Sequence, residues 1–439
     1  MGLAQDFSKF CNAIRLDNFD EMKTTTGEIA KKLNKVYYEL ESESELHMYI
    51  VGSVGRNTAI KGSSDLDLLF DLPKGVYKQY DDYESNGQSQ LLQDVKKILK
   101  ERYPKTDISG DGQVVVIDFN KYTVELVPGF KQSDNTFKYP DTHNGGTWKT
   151  TDPLSEQKAC KDCNDKSAGI YYDFCHVLRS WKNTIGFKMK GLLIDTLVYN
   201  CLCKNNYFQD SKASYLDILI SIFNYLSTQN NKQNYWHALG SNQFIYNLDK
   251  GTFVEKAKKA YDKIKDLTLE SDNANDLLRS LLGSSFPKAT GKTNRFAQNL
   301  SFDESYDRGA ITEEFIEEKF PVDIRYHLEI DCNVTQNGWM PFNLRNYLAK
   351  LIPLRKNKQL DFFILKTDCP EPYEVYWKVR NVGFEAIKRN MIRGNITRGK
   401  GRHHKEKTDF EGAHYVECFL IRKNVCVAKD RIDVPIGDI

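Results

Sequence analysis

The segment YIVGSVGRNTAIKGSSDLDLLFDL, residues 49–72, constrains this chain more than any other. A short apolar run, Met48 to Val51, reads as a strand that leads into a Gly52-Ser53 turn. A basic loop of small residues follows, and a second strand then carries Asp65 and Asp67 two positions apart. Side chains alternate faces along a strand, so both carboxylates point one way and Leu66 points into the core. Two carboxylates on one face repel each other, and a divalent cation between them removes the repulsion. Hard cations such as Mg²⁺ prefer such oxygen ligands. Gly52 lets the backbone come close to an anion, and Ser53 offers a hydroxyl and an N–H. A helix beginning near Val54 would add N-terminal donors. A phosphate cradle about a dozen residues from a paired-Asp metal site predicts metal-assisted nucleotidyl transfer. The bland alternative is a turn plus a solvated Asp pair on an edge strand.

Gly-Ser, a spacer and Asp-x-Asp together resemble the nucleotidyltransferases of the DNA polymerase β superfamily. The resemblance is greatest to the bacterial branch that makes cyclic di- and oligonucleotide second messengers for antiphage (CBASS-type) signalling. That branch is related to oligoadenylate synthetase and cyclic GMP-AMP synthase. The resemblance implies an α+β fold, a polymerase-β-like palm with a helical lobe. It also implies a third carboxylate on a later strand, followed by an apolar-Pro step. The segment QVVVIDFNKYTVELVPGF, residues 113–130, supplies one. It reads as a hairpin: Val114 to Phe119, a turn at Asn120-Lys121, then Tyr122 to Val127, ended by Pro128. Glu125 stands where the family usually has Asp, and Asp118 on the neighbouring strand is the other candidate.

On this resemblance Asp65, Asp67 and Glu125 hold Mg²⁺ or Mn²⁺, and nucleoside triphosphates, ATP and/or GTP among them, are the substrates. Gly52 and Ser53 grip phosphates. Arg179 and Lys182, in the helical segment 169–202, are the candidates for a further grip on the triphosphate. The alternative is that they are ordinary exposed helix charges. Where the family often has Ser-Tyr at the start of the next helix, this chain has Gly191-Leu192.

Length allows two or three domains: the chain has 439 residues. Lys plus Arg number 62 and Asp plus Glu 60, so no global charge demands a nucleic-acid partner. The longest apolar run, around Leu216 to Leu226, falls short of a membrane span. The N-terminus lacks an apolar signal region, so a cytoplasmic location is expected. The ten cysteines then read as reduced thiols. Cys160 and Cys163 have metal-ligand spacing, with Cys201, Cys203, His143 and His176 as possible zinc partners. Positions 201 and 203 face apart on a helix, which argues against that site.

Four regions are expected: a palm with N-terminal helices at 1–150, a helical lobe at 151–283, a linker at 284–318 and a β-rich domain at 319–439. Thr24 to Thr26 read as a helix start, and residues 85–102 as an amphipathic helix. Residues 131–152 read as a polar loop, lining the pocket or merely on the surface.

The segments PYEVYWKVRNVGFEA and EGAHYVECFLIRKNVCVAKDRIDVPI resemble the C-terminal sensor domain found behind cyclic-nucleotide and oligonucleotide synthases. That implies a ligand, a nucleotide or oligonucleotide, with Trp377, Lys378, Arg380, Arg393 and His414 as candidate contacts. From Lys378 to Lys407 ten Lys or Arg face two Glu, a net of +8 in a chain of net +2. The alternative is a solvated basic hairpin. A downstream effector is expected to respond to the product rather than to the enzyme itself. Two other functions stay open: transfer to an RNA or protein acceptor, and a catalytically weakened nucleotide sensor.

Overall fold

The computed structural model describes residues 2–63, 65–204, 213–288, 313–336, 340–348 and 353–437. The chain divides into two compact units. One comprises Gly2–Ser180 and Met189–Ala274, the other Trp181–Lys188 and Asn275–Ile439.

The first unit opens with helices α1 (Leu3–Ala13) and α2 (Phe19–Tyr38). Helix α2 does not start at Thr24 to Thr26 but runs through them. Thr24 and Thr26 return their hydroxyls to the carbonyls of Asp20 and Met22, which lets them sit inside a helix. Met22, Ile29 and Leu33 form its buried stripe. Strand β1 (Met48–Ile50), the helical turn α3 (Gly52–Gly55) and strand β2 (Asp65–Asp71) follow. Helices α4 (Lys74–Asp81) and α5 (Gly87–Arg102) come next. Leu91, Leu92, Val95 and Leu99 of α5 are buried in one core with Leu66, Leu68, Val115, Ile117, Val124 and Leu126.

Those last residues belong to β2 and to strands β4 (Val114–Asp118) and β5 (Thr123–Lys131); β3 (Asp107–Asp111) lies at the edge. The sheet runs β1-β2-β5-β4-β3, with β2 and β5 parallel. Residues 131–152 are not a loop. They form a hairpin of β6 (Phe137–Asp141) and β7 (Thr147–Thr151), held by Phe137, which is buried with Val51 and Leu69. Helices α6 (Pro153–Lys166), α7 (Ile170–Ile185), α8 (Gly191–Tyr199), α9 (Tyr215–Ser227) and α10 (Thr252–Ile264) follow, with a hairpin of β8 (Tyr235–His237) and β9 (Phe244–Tyr246) before α10. The division between the units falls inside α7, after Ser180.

The second unit is built on two four-stranded sheets. One has the order β11-β10-β12-β15, from β10 (Leu328–Thr335), β11 (Phe342–Asn343), β12 (Gln359–Thr367) and β15 (His403–Lys407). The other has the order β14-β13-β16-β17, from β13 (Glu374–Arg380), β14 (Arg393–Arg398), β16 (Gly412–Arg422) and β17 (Val425–Ile436). Ile330, Phe362, Trp377, Cys418 and Ala428 share one core, so the inner faces pack as a sandwich. Of the expected linker, residues 289–312 lie outside the described residues. Ile316, just after them, is buried against Phe419 and Ile421. Among the described residues no helix is long and apolar enough to cross a membrane.

Candidate active site

The Gly-Ser turn and the Asp pair meet directly. Val51 N–H donates to the Asp67 carbonyl at 2.9 Å, which aligns the end of β1 with β2. Gly52 has φ +61°, a region that favours glycine. A Cβ there would overlap Asp67 Oδ2 and would lie 2.5 Å from its Cγ. Gly52 is therefore required twice, by its backbone angle and by the carboxylate against it. The expected helix start near Val54 is only the single turn α3, too short to build a macrodipole. The Ser53 carbonyl accepts from the N–H groups of Thr58 and Ala59 at 2.9 and 3.1 Å, which closes the loop behind it.

Sheet register decides which carboxylates are neighbours. Asp67 pairs with Glu125 across the parallel β2–β5 ladder, and Asp65 pairs with Thr123. Thr123 pairs in turn with Asp118 across β4, and Val116 pairs with Glu125. Asp65, Asp67, Glu125 and Asp118 thus share one face, opposite the buried Leu66, Leu68, Val124 and Leu126. Glu125 is one strand from Asp67. Asp118 is two strands from β2, on the order of 10 Å, and accepts the Thr123 hydroxyl at 2.9 Å. Among the described residues no three His, Cys, Asp or Glu side chains are already drawn together as a metal cluster. The carboxylates nonetheless fit a hard divalent ion: all donors are oxygen, on one face of adjacent strands, beside a glycine with no room for a side chain.

A buried ionic network holds this loop. Arg56 Nε donates to Asp195 Oδ2 at 2.9 Å and its Nη1 to Glu156 Oε2 at 3.2 Å. Thr58 Oγ1 donates to the same Asp195 oxygen at 3.0 Å. Arg179 grips Asp195 with two nitrogens, at 2.6 and 3.0 Å. Asp195 is fully buried, which works to raise its pKa, yet the Arg179 and Arg56 guanidinia hold it down to about 2. Gln157 Nε2 donates to the Ile50 carbonyl and His176 Nε2 bonds the Asn57 carbonyl, so α6 and α7 both fasten residues 50–58. Burial lowers the His176 pKa to about 4, so this imidazole is neutral.

The expectation for Arg179 and Lys182 is corrected. Arg179 is buried and its charge is committed to Asp195. Lys182 is also buried, donating to the Ile324 carbonyl at 2.9 Å with Asp323 at 3.5 Å. Both serve packing rather than an open phosphate site. Arg56, Glu156 and Asp195 were not singled out from the sequence. The available signal was a lone Asp in the apolar run GLLIDTLVY, which must find buried partners.

Comparison with known families bears on the same residues. Residues 1–164 match the second messenger oligonucleotide or dinucleotide synthetase (SMODS) domain, and residues 310–437 the adenylyl/guanylyl and SMODS C-terminal sensor domain. The chain thus carries a SMODS nucleotidyltransferase domain followed by a C-terminal sensor domain. Among solved structures it is similar to CdnC of E. coli MS115-1 with ATP, at 15% identity and TM-score 0.51, over 65% of this chain and 98% of that one. It is also similar to the CdnE cyclic dinucleotide synthase of Elizabethkingia meningoseptica with GTP and Apcpp, at 14% identity and TM-score 0.43, over 59% of this chain and 97% of that one. At such identities the likeness to CdnC speaks of the fold alone. No curated protein matches the chain.

In the sensor domain the expected ligand contacts are corrected as well. Trp377 is 1% exposed and part of the sandwich core. Lys378 is buried between Glu313 at 2.8 Å and Glu417 at 3.1 Å. Arg380 donates to the Arg393 carbonyl, and Arg393 makes a two-pronged pair with Glu406 at 2.7 and 2.9 Å. His414 is buried, accepting from Val382 N–H at Nδ1 and donating from Nε2 to the Phe410 carbonyl, so both ring nitrogens are used. Trp377 belongs to the sandwich core, while Lys378, Arg380, Arg393 and His414 are engaged by acids, carbonyls or backbone N–H groups of the same unit.

The cysteines also differ from expectation. Cys163 and Cys203 are joined in a disulfide, Cα to Cα 6.1 Å, in the nucleotidyltransferase unit. Cys160 and Cys201 are buried thiols, each raised to about 12 by burial. Cys163 is thereby withdrawn from the zinc reading.

Proposed function

We propose that this SMODS enzyme joins nucleoside triphosphates, ATP and/or GTP among them, into a cyclic or short linear oligonucleotide messenger. Asp65, Asp67 and Glu125 would hold Mg²⁺ or Mn²⁺. The observation that carries this reading is the register that sets Glu125 beside Asp67, on the face that Asp65 shares. Held there, the ion would supply Lewis-acid help to the attacking ribose hydroxyl and to the departing pyrophosphate. Gly52 brings the backbone to the phosphates. The Ser53 hydroxyl makes no hydrogen bond among the described residues and is available to a phosphate oxygen. The Asp195 network keeps this loop fixed against β2, so the phosphate grip and the carboxylates stay in one geometry. No nucleophilic side chain is needed. CdnC, solved with ATP, supports an ATP-sized substrate. The messenger would serve antiphage signalling of the CBASS type, reaching an effector through the product.

The test is pyrophosphate release from the four nucleoside triphosphates without an added acceptor. Release is expected with Mg²⁺ or Mn²⁺ and is expected to stop with a chelator. Asp65→Ala with Asp67→Ala should lower it on the order of a thousandfold, with the circular dichroism spectrum unchanged. Full activity in that variant would sink the proposal.

A further inference from the structure

The outward face of β12 and β15 carries a second feature. On β15, His403, Lys405 and Lys407 point outward, while His404 and Glu406 are partly covered. They pair across the ladder with Phe363, Asp361 and Gln359 of β12. The Phe363 and His403 rings stack, with centroids 6.0 Å apart at 27°. Lys400 and Arg402, on the turn between β14 and β15, are exposed too. Among the described residues Lys400, Arg402, Lys405 and Lys407 have no ion-pair partner. Asp361, the acid opposite Lys405, is engaged by His403 Nδ1 at 3.2 Å. Four exposed cations without an ion-pair partner among the described residues thus lie along the strand and turn that carry the stacked ring pair, Lys405 and Lys407 on its face and Lys400 and Arg402 in the turn before it.

Lysines on an edge strand also discourage edge-to-edge pairing, and β15 is an edge. That role needs no exposed rings. Cations spaced along a strand beside a ring pair match what single-stranded nucleic acid requires: charge for the backbone and a platform for unpaired bases. We propose that this face of the sensor domain binds single-stranded nucleic acid, with phosphates on Lys400, Arg402, Lys405 and Lys407 and a base against Phe363 and His403. The site does not rest on the transfer chemistry proposed above. Four phosphate positions along the strand exceed what a dinucleotide supplies, so the occupant is a longer single strand of RNA or DNA rather than a short product.

The test is fluorescence anisotropy on the full chain carrying Asp65→Ala and Asp67→Ala, so that no triphosphate chemistry intervenes. The probes are labelled single strands of about 20 nucleotides, in RNA and DNA, a duplex of equal length and a linear di-adenylate. Single-strand affinity is expected to fall with salt at a log–log slope of about −3 for four phosphate contacts. Replacing the four cations by Gln should remove most of that slope. His403→Ala should weaken binding roughly tenfold and leave the slope unchanged. Binding confined to the long single strands is expected. Di-adenylate binding as tightly as the long strand would overturn the proposal, because it cannot reach four cations. No single-strand binding, duplex binding as tight with His403→Ala neutral, or binding only to phosphatidylserine vesicles would overturn it.

Discussion

Asp195→Ala is expected to destabilise the nucleotidyltransferase unit by about 3–5 kcal/mol, because it strands the buried Arg179 guanidinium without a counter-charge and leaves the buried Arg56 only Glu156. Asp195 is fully buried and receives bonds from Arg56, Arg179 and Thr58. Its removal leaves Arg179 with backbone carbonyls only, and Arg56 with Glu156 alone. Asp195→Asn keeps the shape and one oxygen acceptor, so its effect should be smaller. Urea melts followed by circular dichroism check this. A loss under about 1 kcal/mol for the alanine variant would mean that the network is incidental. The pH dependence has a defined sign. The folded pKa is depressed to about 2, so the stabilisation from Asp195 is fully present above about pH 4 and is lost as pH falls through 2.

Gly52→Ala is the second large effect, this time on activity. The φ of +61° costs an alanine on the order of 1–2 kcal/mol. More importantly, the new Cβ must displace the Asp67 side chain. A misplacement of about 1 Å at a catalytic group commonly costs on the order of a hundredfold in rate. We expect at least that loss in turnover, with the unit still folded. Gly75→Ala is the control, since a Cβ there meets nothing within 4 Å. Equal activity in the Gly52 and Gly75 variants would show that the glycine does not position the carboxylate.

These two residues show what the sequence revealed and what it concealed. The Gly-Ser and Asp-Leu-Asp motifs were legible because strand alternation is local. Leu66 and Leu68 had to face inward, which fixed the direction of Asp65 and Asp67. That Glu125, not Asp118, is the strand neighbour of Asp67 depends on the register of a parallel ladder, which strand patterns alone do not specify. Arg56 and Asp195 lie 139 residues apart, so their pairing leaves no trace in local periodicity. Arg179 and Lys182 were misread for the same reason, since their partners, Asp195, Asp323 and Ile324, come from later in the chain. In the sensor domain the excess of positive charge was legible, but its bearers were not. Lys378, Arg380 and Arg393 turn to acids or carbonyls, whereas Lys400 to Lys407 keep theirs outward. Residues 131–152 read as a loop because, among the buried residues of the hairpin, only Phe137 is a large apolar side chain, beside Pro140 and the charged Asp141.

Mass spectrometry of the products formed from pooled ATP, GTP, CTP and UTP with Mg²⁺, by the wild type, Glu125→Ala and Asp118→Ala, tests the central claim most directly. The account predicts cyclic or short linear oligonucleotides from the wild type and from Asp118→Ala, and none from Glu125→Ala. Undiminished product from Glu125→Ala, or nucleotides found only on an added RNA or protein acceptor, would contradict it.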